Sequence, residues 1–212
     1  MLERFRQFWT NFWSPVAHLL IRWGVSPNTV TFVGTLGVSA GALIFFPQGM
    51  LLTGVLVITA FVFSDMIDGY MARTTGSVSK FGAFWDSTLD RIGDGAIFGG
   101  LVLYYAGSHA ESQLGPTQLY LCLTLYCLVM GATTSYARAR AESLGMKAKG
   151  GLAERADRLV AILVMTGLSA IFDLPLLMEI TLWVLALANT QTVVVRVLMV
   201  RDQAAAEAAA SE

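Results

Sequence analysis

The sequence predicts an all-α integral membrane protein, with six transmembrane helices preceded by an N-terminal amphipathic interfacial helix. Three observations predict it. Hydrophobic residues make up 55% of the 212 and charged residues 14%, where soluble domains carry about 25% charge. Six apolar stretches come close to the roughly 20 residues that cross a bilayer as a helix. All 14 Lys and Arg fall on one side of the membrane that these six stretches define, the asymmetry expected of cytoplasmic segments. A net charge of -1 excludes a nucleic-acid binder that works by net positive charge. The composition excludes a disordered chain.

The elements follow in order. In residues 1–24, Leu2, Phe5, Trp9, Phe12, Val16, Leu20 and Trp23 recur at three and four residues, with Arg4, Arg6, Gln7 and Arg22 among them. That is one apolar helix face with basic flanks, suited to lie among headgroups. Ser14-Pro15 reads as a bend or restart, and Gly24 as the end. Ser26-Pro27 repeats the start signal for the membrane domain, residues 25–201. The spans run roughly from Thr29 to Phe46, Leu51 to Met71, Phe84 to Ala106, Gln118 to Tyr136, Leu152 to Phe172, and Leu176 to Leu198. Pro47-Gln48-Gly49, Gly107 to Pro116, Gly150-Gly151 and Asp173-Leu174-Pro175 mark the turns. Residues 202–212 are helix-prone but offer nothing to pack, so a frayed tail is expected. Both termini and the loops after spans two and four belong on the cytoplasmic face of the cell (plasma) membrane. Cys122 and Cys127 share one apolar run and read as buried free thiols. His18 and His109 have no partner at ligand spacing.

The chemistry lies in acids placed where acids are expensive, at about 2.5–3.5 kcal/mol for a charge at a helix centre in the bilayer. Asp65 and Asp68 end the second span and share a helix face. Asp86 and Asp90 open the third and share one too. The short loop from Thr74 to Phe81 makes the two helices antiparallel neighbours, so four carboxylates converge near the cytoplasmic surface. Such a set needs cations. Oxygen donors without His or Cys favour Mg²⁺ or Mn²⁺, and carboxylates bridging two metals are the usual basis of phosphoryl chemistry. Asp94, one turn further in, reads as structural, with an arginine or hydroxyl partner. Gly69 and Gly82 suit either close ligand approach or close helix packing. Arg73, one turn after the first acids, could take a phosphate oxygen.

Written out, the pattern is Asp65-x-x-Asp68-Gly69-x-x-Ala72-Arg73, eight residues, then Gly82-x-x-x-Asp86-x-x-x-Asp90. It resembles the signature of the CDP-alcohol phosphotransferase family at all eight fixed positions. The six-span layout and amphipathic leader helix resemble that family as well. The resemblance implies displacement of CMP from a CDP-linked lipid by an acceptor hydroxyl. Asp65 and Asp86 would bridge two Mg²⁺ ions, with Asp68 and Asp90 completing one site each. Asp90 would also be the general base. Gly69, Arg73, Ser79 and Gly82, and the group Asn28, Thr29, Val30 and Thr31, would bind the CDP-diacylglycerol donor. The latter group is also a helix N-terminus with free N–H groups for an anion. The family is typically homodimeric.

The acceptor is read from the loop after span four. Arg138, Arg140, Lys147, Lys149, Arg155 and Arg158 make it basic, and Arg196 ends span six on the same side. Arg138, Arg155 and Arg196 sit at or within helix ends, where a charge needs a partner, and are the candidates for an acceptor phosphate. Ser135-Tyr136-x-Arg138-Ala139-Arg140-Ala141-Glu142, then Gly150-Gly151 and Glu154-Arg155-x-x-Arg158-Leu159, is similar to the actinobacterial branch of the family that uses inositol phosphate. That resemblance implies phosphatidylinositol phosphate and CMP as products. Phosphatidylglycerophosphate synthases, with glycerol 3-phosphate as acceptor, share part of this loop and are the alternative. A membrane transporter with an acidic cation site is the remote one. It would place its acids near the bilayer midplane, not at one surface.

Overall fold

The computed structural model describes residues 14–210, apart from the side chains of Asp65, Met66 and Ala210. The amphipathic pattern over residues 1–13 therefore lies outside the described residues. Every regular element described is helical. Residues 14–22 form α1. It is followed by α2 (Pro27–Phe45), a 3₁₀ turn (Phe46–Gln48), α3 (Leu51–Val62), α4 (Ser64–Thr74), α5 (Lys80–Ala106), α6 (Thr117–Ser143), α7 (Arg155–Phe172) and α8 (Leu176–Ala210).

Gly24 ends α1 as expected, with φ 75° and the Val25 N–H bonded to the Leu20 carbonyl. Ala17 of α1 packs on Ile67 and Met71 of α4, with Leu20, Ile21 and Tyr70 beside them. Val16, Leu19 and Trp23 point outward. Ser26 caps α2, its Oγ accepting from the Thr29 N–H at 3.2 Å, with Pro27 in the first turn. α2 runs between α5 on one side and α3–α4 on the other. Its buried face is Thr31, Gly34, Val38, Gly41 and Ala42. Small residues there are required by contact: a Cβ on Gly34 would fall 1.8 Å from Ser64 Oγ. Between apolar helices in lipid, such close backbone approach supplies the packing energy that water exclusion supplies elsewhere.

The span expected as one helix from Leu51 to Met71 is broken at Phe63. Ser64 presses into the gap left by Gly34, and α4 leaves the break as a separate helix with Asp68 toward Thr31. α4 ends at Gly76, φ 65°, where the Ser77 N–H bonds the Ala72 carbonyl. Ser79 then caps α5, its Oγ accepting from the Gly82 N–H at 3.0 Å. The two acid-bearing helices are thus joined by a short, fully capped turn.

α6 packs on α5 and α8, and α7 on α8 and α3. Val38, Phe46, Ile58, Leu101, Tyr120 and Leu182 are among the buried core. Outer faces stay apolar, with Leu36, Val129, Val160 and Leu187 exposed, as expected of helices that meet lipid. Cys127 is buried as expected, but Cys122 faces outward on α6.

Among the described residues, four helical segments are long and apolar enough to cross a membrane: Pro27–Gln48, Leu51–Thr74, Thr117–Ser143 and Leu176–Ala209. α5 and α7, the expected third and fifth spans, are not among them. Each carries charge in its N-terminal half: Asp86, Asp90, Arg91 and Asp94 in α5; Arg155, Asp157 and Arg158 in α7.

The expected frayed tail is also different. Residues 202–210 continue α8. Its alanine-rich sequence extends a helix already nucleated, and Gln203 has a partner: its amide bonds both the N–H and the carbonyl of Lys147, at 2.9 and 2.7 Å. α8 holds the rest of the α6–α7 loop in the same way. Gln191 accepts from the Leu152 N–H at 3.0 Å and Thr192 from the Ala153 N–H at 3.2 Å. Gly151, φ 113°, lies where a Cβ would be 2.4 Å from the Thr192 methyl. This loop delivers Arg155 to the site.

Candidate active site

At one end of the bundle a cavity of about 570 Å³ opens between the N-terminus of α2, the α4–α5 turn and the start of α7. Asp68, Asp86 and Asp90 all line it, with Asn28, Gly69, Arg73, Ser79, Gly82 and Arg155. The acids come together because Asp86 and Asp90 repeat at one helical turn and α4 and α5 both pack on α2. The capped turn joins their ends, but the two helices are not the directly packed neighbours expected from the short loop. The side chain of Asp65 lies outside the described residues.

Asp68 is buried, and Thr31 Oγ1 donates to its Oδ2 at 2.5 Å. Thr31, expected to touch the donor lipid, also lines the cavity and orients this acid. Asp90 Oδ1 forms an ion pair with Arg155 Nη1 at 2.9 Å. Arg155 Nε meanwhile reaches Asp94 Oδ1 at 2.9 Å. The expected arginine partner of Asp94 is therefore present. Arg91 and Arg158 approach its other oxygen at 3.9 and 4.0 Å. Glu154 and Asp157 form a reciprocal capping box at the start of α7, not the local ion pairs with Arg155 and Arg158 that their sequence order suggests.

The donor-side residues divide. Asn28, Thr31, Gly69, Arg73, Ser79 and Gly82 line the cavity, whereas Thr29 and Val30 are outside its lining. Thr29 Oγ1 turns back to Ser26 Oγ at 2.8 Å, and Val30 packs against the Ile67–Met71 cluster. Both follow from helix periodicity: only residues 27, 28 and 31 of this first turn share the inward face. The guanidinium of Arg73 lies over Gly69, where an added Cβ would stand 3.5 Å from Nη1. A Cβ on Gly82 would be 3.2 Å from Ser79 Oγ and 3.6 Å from Asn28 Oδ1.

Of the three acceptor-side arginines, Arg155 alone reaches the lining. Arg138 is exposed and pairs with Glu142 one turn on, at 2.9 Å. Arg196 is buried and donates to the carbonyls of Gly150 and Thr134, tying α6 and the following loop to α8. The acid–base spacing alone cannot separate an arginine aimed at a cavity from one stapling a loop.

Sequence reasoning missed Ser77 and Val78, which join the lining from the α4–α5 turn and carry no signal. It also passed over Trp85, whose Nε1 donates to the Asn28 carbonyl at 3.2 Å and whose ring stacks on Phe32 and Phe81. Phe81 and Trp85 at i and i+4 were the available clue that α5 clamps the N-terminus of α2.

Among the described residues no three acidic, His or Cys side chains close around one metal-sized point. The donor set still fits a divalent cation in kind. Three carboxylates, with no sulfur or imidazole, face one cavity, and one is already oriented by a hydroxyl. A guanidinium rests on Asp90, where positive charge is demanded.

A family profile for CDP-alcohol phosphatidyltransferase matches residues 24–152, a stretch holding α2 to α6 and Asp65, Asp68, Asp86, Asp90 and Asp94. The chain belongs to this family. Within the CDP-alcohol phosphatidyltransferases, it is 47% identical over its whole length to the phosphatidylinositol phosphate synthase of Streptomyces avermitilis, covering 87% of that protein. It is 46% identical to the phosphatidylinositol phosphate synthase of Cutibacterium acnes, over 95% of this chain and 98% of that one. The crystal structure of Mycobacterium tuberculosis phosphatidylinositol phosphate synthase with CDP-DAG bound superposes with a TM-score of 0.81 at 40% identity, over 88% of this chain and 92% of that one. A second structure of that enzyme, in complex with manganese and citrate, also gives 0.81, over 88% and 87%.

Proposed function

We propose that this chain transfers the phosphatidyl group of CDP-diacylglycerol to a hydroxyl of inositol phosphate, forming phosphatidylinositol phosphate and releasing CMP. The observation that carries the proposal is the single cavity that Asp68, Asp86 and Asp90 share with Arg73 and Arg155. Carboxylates for cations stand between two guanidiniums for phosphates. Relatives at 46–47% identity named phosphatidylinositol phosphate synthase support inositol phosphate as the acceptor.

In this reading Asp65, Asp68, Asp86 and Asp90 would hold two Mg²⁺ ions, with Mn²⁺ as a substitute. Bound there, the ions would bind the diphosphate and stabilise the departing CMP oxygens. Thr31 keeps Asp68 pointed at its cation. Asn28, Gly69, Ser79 and Gly82 leave room for the CDP group, and Arg73 takes a phosphate oxygen. Thr29 and Val30 serve by shaping the α2 N-terminus. Asp90 accepts the proton of the acceptor hydroxyl as its oxygen attacks the lipid-linked phosphorus, and the diphosphate P–O bond to CMP breaks. Arg155 receives the acceptor's phosphate. Arg138 joins it readily, because an exposed ion pair is worth only about 0–1 kcal/mol and can be exchanged. Arg196 contributes by holding the loop that presents Arg155.

The wider reading comprises six spans over residues 25–201, with α5 and α7 crossing despite their charged ends, and an interfacial helix over residues 1–24. The active site and both termini face the cytoplasm at the plasma membrane, and the enzyme works as a homodimer. The distribution of all 14 Lys and Arg supports the orientation.

The test is CMP release by purified protein in detergent with Mg²⁺ and CDP-diacylglycerol, each acceptor in its own tube. CMP with inositol phosphate is the expected result. Release with glycerol 3-phosphate instead would keep the chemistry and replace the acceptor. No release from folded protein with any acceptor would overturn the reading.

A further inference from the structure

Asp94 stands outside the eight-position motif, yet three arginines, Arg91, Arg155 and Arg158, approach it. It follows Asp90 by one helical turn, so both carboxylates face the start of α7. There a single guanidinium spans them, Nη1 on Asp90 and Nε on Asp94, each at 2.9 Å. A hydrogen bond through Nε and an ion pair through Nη1 together hold the position of a rigid fork.

We propose that Asp94 is a positioning residue that sets the Arg155 guanidinium at the cavity wall against Asp90, ready for the acceptor's phosphate. This rests on the functional reading above.

Three observations carry it. Arg155 lines the main cavity and Asp94 does not, so Asp94 can act on a ligand there only through another group. Asp94 is instead enclosed from behind. A second void of about 30 Å³, room for about one water, is bounded by Asp94, Arg91, Gly131 and Arg158. The charges also favour a fixed Asp94. Arg91 and Arg158 face its second oxygen at 3.9 and 4.0 Å, too long for strong hydrogen bonds but close enough to hold a carboxylate in place. Arg158 is itself anchored by the carbonyls of Ala153 and Gly131. Asp94 thus takes its place from a buried, braced arginine and passes it to the arginine at the cavity wall.

The experiment is a double-mutant cycle on the full chain in detergent with Mg²⁺, comparing wild type, Asp94→Asn, Arg155→Gln and the double variant. Binding of inositol phosphate by calorimetry and the KM for each substrate are both read. Losing one charge-assisted contact should weaken inositol phosphate binding about tenfold in Asp94→Asn. The KM for inositol phosphate should rise with it, and the KM for CDP-diacylglycerol should stay within about twofold. In the Arg155→Gln background the second substitution should add little. Full additivity, or an equal rise in both KM values, would overturn the proposal and leave Asp94 as general scaffold. Failure of the functional reading looks different: the wild type would release no CMP with inositol phosphate. In that case the same cycle read by thermal unfolding judges the Asp94–Arg155 coupling, and additive melting shifts would reject it.

Discussion

Buried carboxylates occur at both ends of this bundle, and they are treated in opposite ways. Glu179, in the first turn of α8, is fully buried, and its two oxygens accept from the Gln113 and Leu114 N–H groups at 2.9 and 3.0 Å. It ties the α5–α6 loop to α8 and touches no cavity described above. Asp68 is nearly as buried, but it shares an open cavity with Asp86 and Asp90. Its Oδ2 accepts from the Thr31 hydroxyl, and it faces the same open space as Asp86 and Asp90. An acid closed by backbone donors is complete within the chain. Several acids gathered around an open cavity, with arginines beside them, leave room for a cation from outside the chain. Burial alone therefore does not mark the site. What marks it is the supply of partners.

This contrast can be broken or sharpened by experiment. The largest effect should come from chelation. Removing divalent metal with EDTA should bring CMP release to background and leave the melting temperature within a few degrees, and added Mg²⁺ or Mn²⁺ should restore the rate. Asp86→Asn should come next, with a loss of about 10³-fold in kcat. Its melting temperature should be unchanged or higher, because one of several repelling charges is gone. Glu179→Ala should do the reverse. It leaves two N–H groups without their acceptor, each hydrogen bond to a charge being worth about 1.5–3 kcal/mol. Thermal unfolding should show a clear drop, while the folded fraction turns over at close to the wild-type rate. The smallest effect is expected of Gly82→Ala. Its new methyl would crowd Ser79 Oγ and Asn28 Oδ1 and raise the KM for CDP-diacylglycerol about threefold with little change in kcat. If Glu179→Ala lost catalysis without losing stability, the division between the two ends would be wrong.

Much of this was legible in the residues. Periodicity and turn chemistry place α2, α5, α6, α7 and α8 to within a helical turn or two, apart from the extra C-terminal turns of α6 and α8. The spacing of Asp68, Asp86 and Asp90 puts them on shared faces without any structure. What could not be read depends on tertiary approach. The break at Phe63 has no Pro or Gly to announce it and follows from Ser64 lying against Gly34. Arg155 and Arg196 look alike in sequence, yet one meets Asp90 and the other meets carbonyls of a loop. Likewise Thr29 and Thr31 differ only by which side of α2 they face. Charge keeps α5 and α7 from reading as apolar spans for the reason that makes them interesting: their ends carry the site.

The most direct test of the central claim is CMP release by Asp90→Asn protein with CDP-diacylglycerol, inositol phosphate and Mg²⁺, beside wild type, with thermal unfolding of both. The expected result is a fall of about 10³-fold or more in a protein that melts like wild type. A rate equal to wild type would contradict the account, since the acid at the centre of the cavity would then have no part in the reaction.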